Sequence, residues 1–392
     1  MKQFSGVLFL FLFHFLSAFT QQTISGKIIN ADNGQAVAGA SVFISNSSRG
    51  TVSNSSGDFL LSDIPPGKHE LVASSISYQT FVQSFSGDEL PLQVNIKLKL
   101  KVTELEGVTV VPFEKDGWAK WGKVFLDNFI GAVENAAGCK ITNYKSIRFR
   151  FFKKEDKLTA SSTEPLIVIN KALGYKIKFQ LEDFQVDYKN ATMIYLGYPL
   201  FEEMKGSKRR WRMAREKAFR GSVTNFIRSL YTGKLQEEGF AVKRLKKIPN
   251  WEKQRIKEFY KPVKKTKLNE KTGETITTVD YDYEQFSKDS IAYYARVMRQ
   301  EDIFDVYGDS LLTADSVITV DTKGTKYLNF PDYLFVNYKP FNQQSSVVLA
   351  APVAIEANGN YYSPQDFFSL GYWSWSEKIA NMLPFDYGMT GQ

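Results

Sequence analysis

The clearest alternation of apolar and polar residues runs from 92 to 100. There Leu92, Val94, Ile96, Leu98 and Leu100 interleave with Gln93, Asn95, Lys97 and Lys99. A period of two sustained over that length predicts a half-buried strand with one wet face. Shorter runs of the same kind precede it. They are TISGKIIN, SVFISN with Val42 and Ile44 on one face, DFLLSDI with Phe59 and Leu61 inward, KHELVASS with Leu71 and Ala73 inward, and YQTFVQSF. Turn residues separate these runs at roughly 8–12-residue spacing, the pattern of an all-β sandwich. Gly57 on one side and Pro65-Pro66-Gly67 on the other bracket the Phe59–Leu61 run as structural turns. Residues 21–100 are therefore expected to form a β-sandwich.

From Gly117 the period changes. Trp118, Trp121, Phe125, Phe129 and Val133 lie three or four apart, one stripe of a helix that Gly138 can stop. Strand-like segments return with SIRFRFF, KLTASS, PLIVIN, YKIKFQLEDFQVDY and TMIYLGY. They predict an antiparallel sheet with Ile177, Phe179 and Leu181 on one face and Lys176, Lys178 and Gln180 on the other. Phe219, Val223, Phe226, Ile227 and Leu230 restore the helical period, with Ser222 as a capping residue. Beyond Gly239 come TITTVDYDY, SVITV, KYLNF, YLFVNY and SSVVLAA, and NEKTGET reads as a hairpin loop centred on Gly273. SEKIANMLPFDY reads as a short helix stopped at Pro384. The expectation for 117–392 is an α+β domain with an antiparallel sheet and a few helices. Residues 101–116, containing KVTELEGVTVVP, are left as a linker or an edge strand able to dock.

The segment from ISGKIIN to SISYQT resembles the carboxypeptidase-regulatory-like domain. The opening G-x-(I/V) strand, the turn Ala36-Val37-Ala38-Gly39-Ala40-Ser41-Val42, the glycine-bearing stretch before Phe59 and the I-P-x-G turn all fall in step, with Ala36 where the family often has Pro. The resemblance implies a seven-stranded, transthyretin-like (Ig-like) sandwich. Residues 117–392, through EPLIVINKALGYKIKFQLEDF, LGYPLFEE, RGSVTNFIRSL and EKIANMLPFDY, resemble the partner domain of unknown function found beside it in Bacteroidota envelope proteins. That implies location in the envelope and little chemistry.

The N-terminus fits export. Lys2 precedes an apolar stretch from Val7 to Leu16 and a small-residue zone with Ala18 and Thr20 at the −3 and −1 positions, so residues 1–20 are expected to be a cleaved signal peptide. The apolar run is shorter than the about 20 residues a spanning helix needs, and no Cys is near enough for a lipid anchor. The protein is therefore expected in the periplasm or associated with the outer membrane, even at the cell surface. The formal charge of +8 is spread over 392 residues, which permits contact with anionic surfaces without demanding nucleic acid. An outer-membrane transporter is not expected, since a plug and a barrel of about 22 strands of about 9–11 residues do not fit in the segment beyond residue 112.

Catalytic motifs are scarce. With only His14 and His69 in the chain, and His14 in the signal segment, the His-rich zinc sites of metallopeptidases and the Ser–His and Cys–His arrangements lack their residues. His69 reads as a lone surface histidine. Cys139, the single cysteine, reads as a buried structural thiol. No S-x-x-K, P-loop or G-x-G-x-x-G spacing occurs, so no catalytic residue, cofactor or metal site is assigned. Three functions stay open. The leading one is a non-enzymatic envelope protein in which the sandwich docks or spaces a domain that binds a protein or glycan. The second is a carboxylate-based glycan hydrolase using acids among Glu182, Asp183, Glu301, Asp302, Asp305 and Asp309. The third is a membrane-surface protein whose basic run, Lys208, Arg209, Arg210, Arg212, Arg215, Lys217 and Arg220, meets anionic lipid or lipopolysaccharide. Asp289-Ser290-Ile291, Asp309-Ser310-Leu311 and Asp315-Ser316-Val317 resemble O-glycosylation acceptors of the same bacterial group.

Overall fold

The computed structural model describes residues 22–101, 111–206, 208–268, 275–281 and 286–388. The expected signal segment, the Gly273 loop and most of the linker strand lie outside these residues. The chain divides into two compact units, Met1–Glu216 with Lys378–Gln392, and Lys217–Glu377.

The first unit opens with seven strands, the number the family resemblance implies, and the alternation marks all of them but β3: β1 (Ile24–Asn30), β2 (Ser41–Ile44), β3 (Gly50–Val52), β4 (Asp58–Leu61), β5 (Lys68–Ser74), β6 (Phe81–Ser86) and β7 (Leu92–Leu98). They form two sheets, β4-β1-β7 and β3-β2-β5-β6. Ile24, Ile28, Phe59, Val94 and Ile96 from one sheet meet Val42, Ile44, Leu71, Ala73 and Phe85 from the other in a single core. The turns behave as expected. Gly57 takes φ +79° where a Cβ would lie 2.4 Å from the Ile28 carbonyl oxygen, so only glycine fits. Gly67, at φ +106°, accepts a backbone bond from Gly87. Leu100 departs from its predicted face: β7 ends at Leu98, and Leu100 is exposed beyond it.

The helix at 117 is α1 (Gly117–Phe129), shorter than its apolar stripe suggests. Gly131, at φ +98°, breaks it eight residues before Cys139 and leaves Val133 off the helix. Its buried side packs Phe125 on Phe184 and Phe129 on Phe179 and Tyr195, with ring centroids 4.6–5.4 Å apart. The sheet beneath comprises β8 (Cys139–Ile141), β9 (Ile147–Phe152), β10 (Lys157–Ser162), β11 (Leu166–Asn170), β12 (Tyr175–Asp187) and β13 (Thr192–Glu203). β12 pairs β13 along its length on one side, and on the other meets β11 first and β10 later. Ile177, Phe179 and Leu181 are buried as expected. Gln180, read as part of the polar face, is buried too.

α2 (Lys208–Phe219) contains the boundary between the units. The second unit then has α3 (Val223–Tyr231), capped by Ser222, whose hydroxyl accepts the Asn225 N–H. Its remaining elements are β14 (Phe240–Pro249), α4 (Trp251–Phe259), β15 (Pro262–Leu268), β16 (Thr275–Tyr281), α5 (Lys288–Met298), β17 (Ile303–Tyr307), β18 (Ile318–Val320), β19 (Lys326–Leu328), β20 (Tyr333–Tyr338), β21 (Gln343–Leu349), β22 (Val353–Ile355), β23 (Phe367–Gly371) and α6 (Tyr372–Ser376). The main sheet has the order β17-β14-β20-β21-β23. Phe226, Ile227 and Leu230 of α3 bury against Phe240, Val336, Val347 and Trp373. Ile256, Tyr260 and Val297 tie α4 to α5 in a separate small cluster. The helix expected near Pro384 is displaced. α6 stands earlier, and residues 378–381 form a turn that returns to the first unit.

Candidate functional site

Within the first unit the sandwich and the larger sheet share a surface. The outer face of the β3-β2-β5-β6 sheet carries Phe43 and Val72, which bury against Leu200 of β13, with Tyr198 and Val82 at the margin. Val72 is therefore fully buried although the period of two puts it outward. The loop after β2 completes the seam: Asn46 N–H donates to the Pro199 carbonyl (2.9 Å), and Phe201 N–H donates to Ser47 (3.0 Å). The C-terminal segment lies on the same loop. Phe385 N–H donates to the Asn46 carbonyl (2.6 Å), Asp386 accepts from the Ser48 hydroxyl, and Arg49 stands 3.8 Å from the same carboxylate.

Beside this seam runs an open groove of about 350 Å³, lined by Gly50, Thr51 and Val52 of β3 and by Lys178, Glu202 and Glu203 of the larger sheet. Its charges are matched internally. Lys178 (2.5 Å) and Lys176 (3.1 Å) hold Glu202. Burial works to raise that carboxyl, but the two lysine hydrogen bonds outweigh it and keep it below the ordinary glutamate value. No proton donor or acceptor poised for transfer results.

The basic run divides. Lys208, Arg209, Arg210 and Arg212 are exposed on α2. Arg215 is buried and does not face an anionic surface. It lies 3.8 Å over the Tyr175 ring, donates from Nε to the Leu173 carbonyl (2.8 Å) and pairs with Glu203 (2.5 Å). Trp211, one turn earlier, donates Nε1–H to Lys171 (3.0 Å) and fills the space that Gly174 leaves for want of a Cβ. The i, i+4 pair Trp211/Arg215 is thus the inward side of α2, and the dense charge of the run hides it in the sequence. Lys217 is exposed in the second unit. Arg220 donates to the Tyr338 hydroxyl (3.3 Å) and covers Phe341.

The candidate acids divide between the two units. Glu182 and Asp183 belong to the first unit and the other four to the second. Glu182 occupies a bulge in β12, which turns its carboxylate to accept the Thr80 hydroxyl (2.7 Å) from the sandwich. Asp183 accepts from Gln185 (2.6 Å). Asp305 pairs with Lys247 (2.8 Å), and Asp302 with Lys257 (2.7 Å) and Lys253 (3.0 Å). The lysine hydrogen bonds lower the Asp302 carboxyl below its ordinary value, opposite to what a general acid needs. Among the described residues no group of three His, Cys, Asp or Glu side chains is placed to hold a metal ion.

His69 is not on the surface. It is buried against Phe85, and its Nε2 lies 2.9 Å from the Pro65 carbonyl, locking the turn to the strand after it. Burial lowers its pKa from 6.5 against the opposing pull of the Pro65 and Pro66 carbonyls. Cys139 is half-buried at the start of β8, and burial pushes its thiol up to about 12, which makes it a poor nucleophile. No described helix is long and apolar enough to cross a membrane.

Comparison with known proteins agrees with the sandwich. Residues 24–110 match the CarboxypepD_reg-like domain family. No curated protein matches the chain. A solved cohesin–X-dockerin complex from Acetivibrio cellulolyticus is 20% identical, covers 19% of this chain and 51% of its own, and has a TM-score of 0.15. This chain thus spans about half the length of that one. A Bacteroides fragilis NCTC 9343 protein of unknown function, described as membrane-associated, is 11% identical, covers 90% of this chain and 94% of its own, and has a TM-score of 0.16. At these scores neither defines the architecture seen here. The two sheets and the single core within residues 24–98 are those of a β-sandwich, and they fall inside the segment, 24–110, that matches the CarboxypepD_reg-like domain family.

Proposed function

We propose that the chain is an exported envelope protein that works by binding rather than by catalysis. The sandwich serves as a fixed base for the six-stranded sheet, and the Lys217–Glu377 unit binds an envelope protein or glycan. The observation that carries this reading is the seam through Phe43, Val72 and Leu200. A module whose sheet face is buried in its neighbour is built into a scaffold, not held ready for a substrate. The ion-paired or hydrogen-bonded state of Glu182, Asp183, Asp302 and Asp305 adds support. A second reading rests on the exposure of Lys208, Arg209, Arg210 and Arg212, which suits contact with anionic lipid or lipopolysaccharide.

Fractionation of the producing cell, followed by incubation of the purified protein with a panel of envelope glycans, tests the proposal. Recovery with the envelope and no released sugar is expected. Recovery in the cytoplasm, or turnover abolished by Glu182→Gln or Asp302→Asn, overturns it. Reversal of the four exposed α2 cations that leaves binding to anionic vesicles unchanged removes the second reading.

A further inference from the structure

Two Asn-Gly pairs occur in the chain, Asn33-Gly34 in the first unit and Asn358-Gly359 in the second. The backbone treats them alike. Both glycines take positive φ, +71° and +88°. Each asparagine folds back on its own turn, its Oδ1 accepting the N–H two residues on: Gln35 at 3.0 Å and Asn360 at 2.9 Å. Each glycine N–H donates to a carbonyl earlier in the turn, Asn30 or Glu356, at 3.0 Å.

The surroundings differ. Asn33 and Gly34 lie between β1 and β2 in a run that is exposed from Asp32 to Ala36. Beyond its chain neighbours, no heavy atom lies within 4 Å of the place a Gly34 Cβ would occupy. Asn358 is 4% exposed, and its main-chain carbonyl accepts from Arg228 Nε at 2.9 Å. A Cβ on Gly359 would stand 2.6 Å from Thr224 Cγ2 and 2.8 Å from the Thr224 carbonyl oxygen. One pair stands in solvent, and the other is wedged against α3.

An asparagine before glycine can close a five-membered ring onto the next backbone nitrogen, because glycine has no Cβ to shield that nitrogen. At Asn33 the Gln35 N–H is already bonded to the oxygen on which negative charge develops. The bond from Gly34 to Asn30 must open first, a small cost in an exposed turn. At Asn358 the same opening must move the peptide against Thr224 and away from Arg228.

We propose that Asn33 is a site of spontaneous covalent modification, turning over to aspartate and isoaspartate through a succinimide with Gly34, and that enclosure keeps Asn358 intact. The Gly34 nitrogen loses its proton to hydroxide and bonds to Asn33 Cγ. The Cγ–Nδ2 bond breaks, and ammonia leaves with a proton from water. Water then opens the ring. Attack at Cγ yields aspartate, and attack at the main-chain carbonyl carbon yields isoaspartate. The net change consumes one water and releases one ammonia. Either product adds a negative charge beside Asp32. Isoaspartate also lengthens the backbone inside the turn that joins Asn30 N–H to the Gln35 carbonyl (2.8 Å) and bridges Ile29 to Ala36. The inference is independent of the binding role proposed for the second unit.

The test incubates the full chain at pH 7 and pH 9, natively and in concentrated urea, and reads tryptic peptides by mass with fragment ions assigning the residue. In the native chain the peptide from Ile28 to Arg49 is expected to gain about 1 Da at Asn33, faster at pH 9, and to become a substrate for an isoaspartate-specific methyltransferase. Asn358 is expected to react about tenfold more slowly or less, and to catch up with Asn33 in urea, where enclosure is gone. Asn33→Gln is expected to abolish the gain, since its longer side chain would have to close a six-membered ring. Conversion of Asn33 only in urea, equal native rates at the two sites, a rate gap that survives in urea, or a gain placed at Asn30 or Asn46 overturns the proposal.

Discussion

Two residues show how chemistry read from composition turns into structure. The basic run reads as one surface, yet Arg215 is its anchor. Its guanidinium covers Tyr175, satisfies the Leu173 carbonyl and neutralises Glu203. Arg215→Ala removes stacking and leaves a buried carbonyl without its donor, so a loss of about 2 kcal/mol in urea unfolding is expected. Arg212→Ala, on the exposed side, should stay within about 0.5 kcal/mol. Equal effects of the two would mean that α2 is held by something other than its Trp211/Arg215 face. His69 gives a pH signature. Its folded pKa lies below the 6.5 of the free side chain because burial disfavours the charged form. Below pH 6.5 the unfolded chain binds the proton first, so the stability that neutral His69 supports is present above that pH and is lost as pH falls towards its folded pKa. Glu70 next to it has a carboxyl raised by burial and works in the opposite direction, so the comparison must be with a variant. His69→Phe should unfold more easily at pH 7.5 and lose less stability than the parent between pH 7.5 and 5. Parallel pH profiles would remove His69 from the account.

At the scale of elements, legibility followed periodicity. β1, β4, β7 and β10 to β12 are readable because one face of each is buried and the side-chain period shows it. Turn glycines such as Gly57 are readable because only glycine fits where they stand. Three kinds of feature are not. α4 and α5 bury few residues each, Ile256 in one and Val297 in the other, so charged positions swamp their stripes. β17 is exposed throughout and has no alternation to read. Val72 and Phe43 are buried by Leu200, distant in sequence, which no local pattern reports. The last point has a consequence. Residues 22–101 expressed alone should expose that face, with burial of each large side chain worth about 1.5–3 kcal/mol. The isolated sandwich is expected to bind the dye ANS where the full chain does not, and Val72→Ser with Phe43→Thr should abolish the signal. A dye-silent isolated sandwich would mean that the seam contributes little apolar contact.

At the scale of the whole chain, the last residues belong with the first unit although the second lies between them in sequence. Ile379 and Ala380 are fully buried and donate their N–H groups to Phe129 and Ile130, 3.1 Å each, at the end of α1. Asn170, itself without exposure, donates Nδ2 to the Ala380 carbonyl at 3.0 Å, and Asn135 donates to Asn381 at 2.9 Å. The SEKIANMLPFDY segment reads as helical because its apolar residues fall at mixed spacing before a proline. Tertiary partners, not a helical stripe, bury them. Ending the chain after Glu377 removes the tail and leaves buried Asn170 without its acceptor, at about 1–3 kcal/mol before the lost packing of Ile379 and Leu383 is counted. The truncated protein should therefore show faster amide exchange in α1 and β11 and a lower melting temperature for the first unit. Exchange at Phe226, Val336 and Val347 in the core of the second unit should not change. If both units lose protection equally, the tail acts on the whole chain rather than on the unit that holds it.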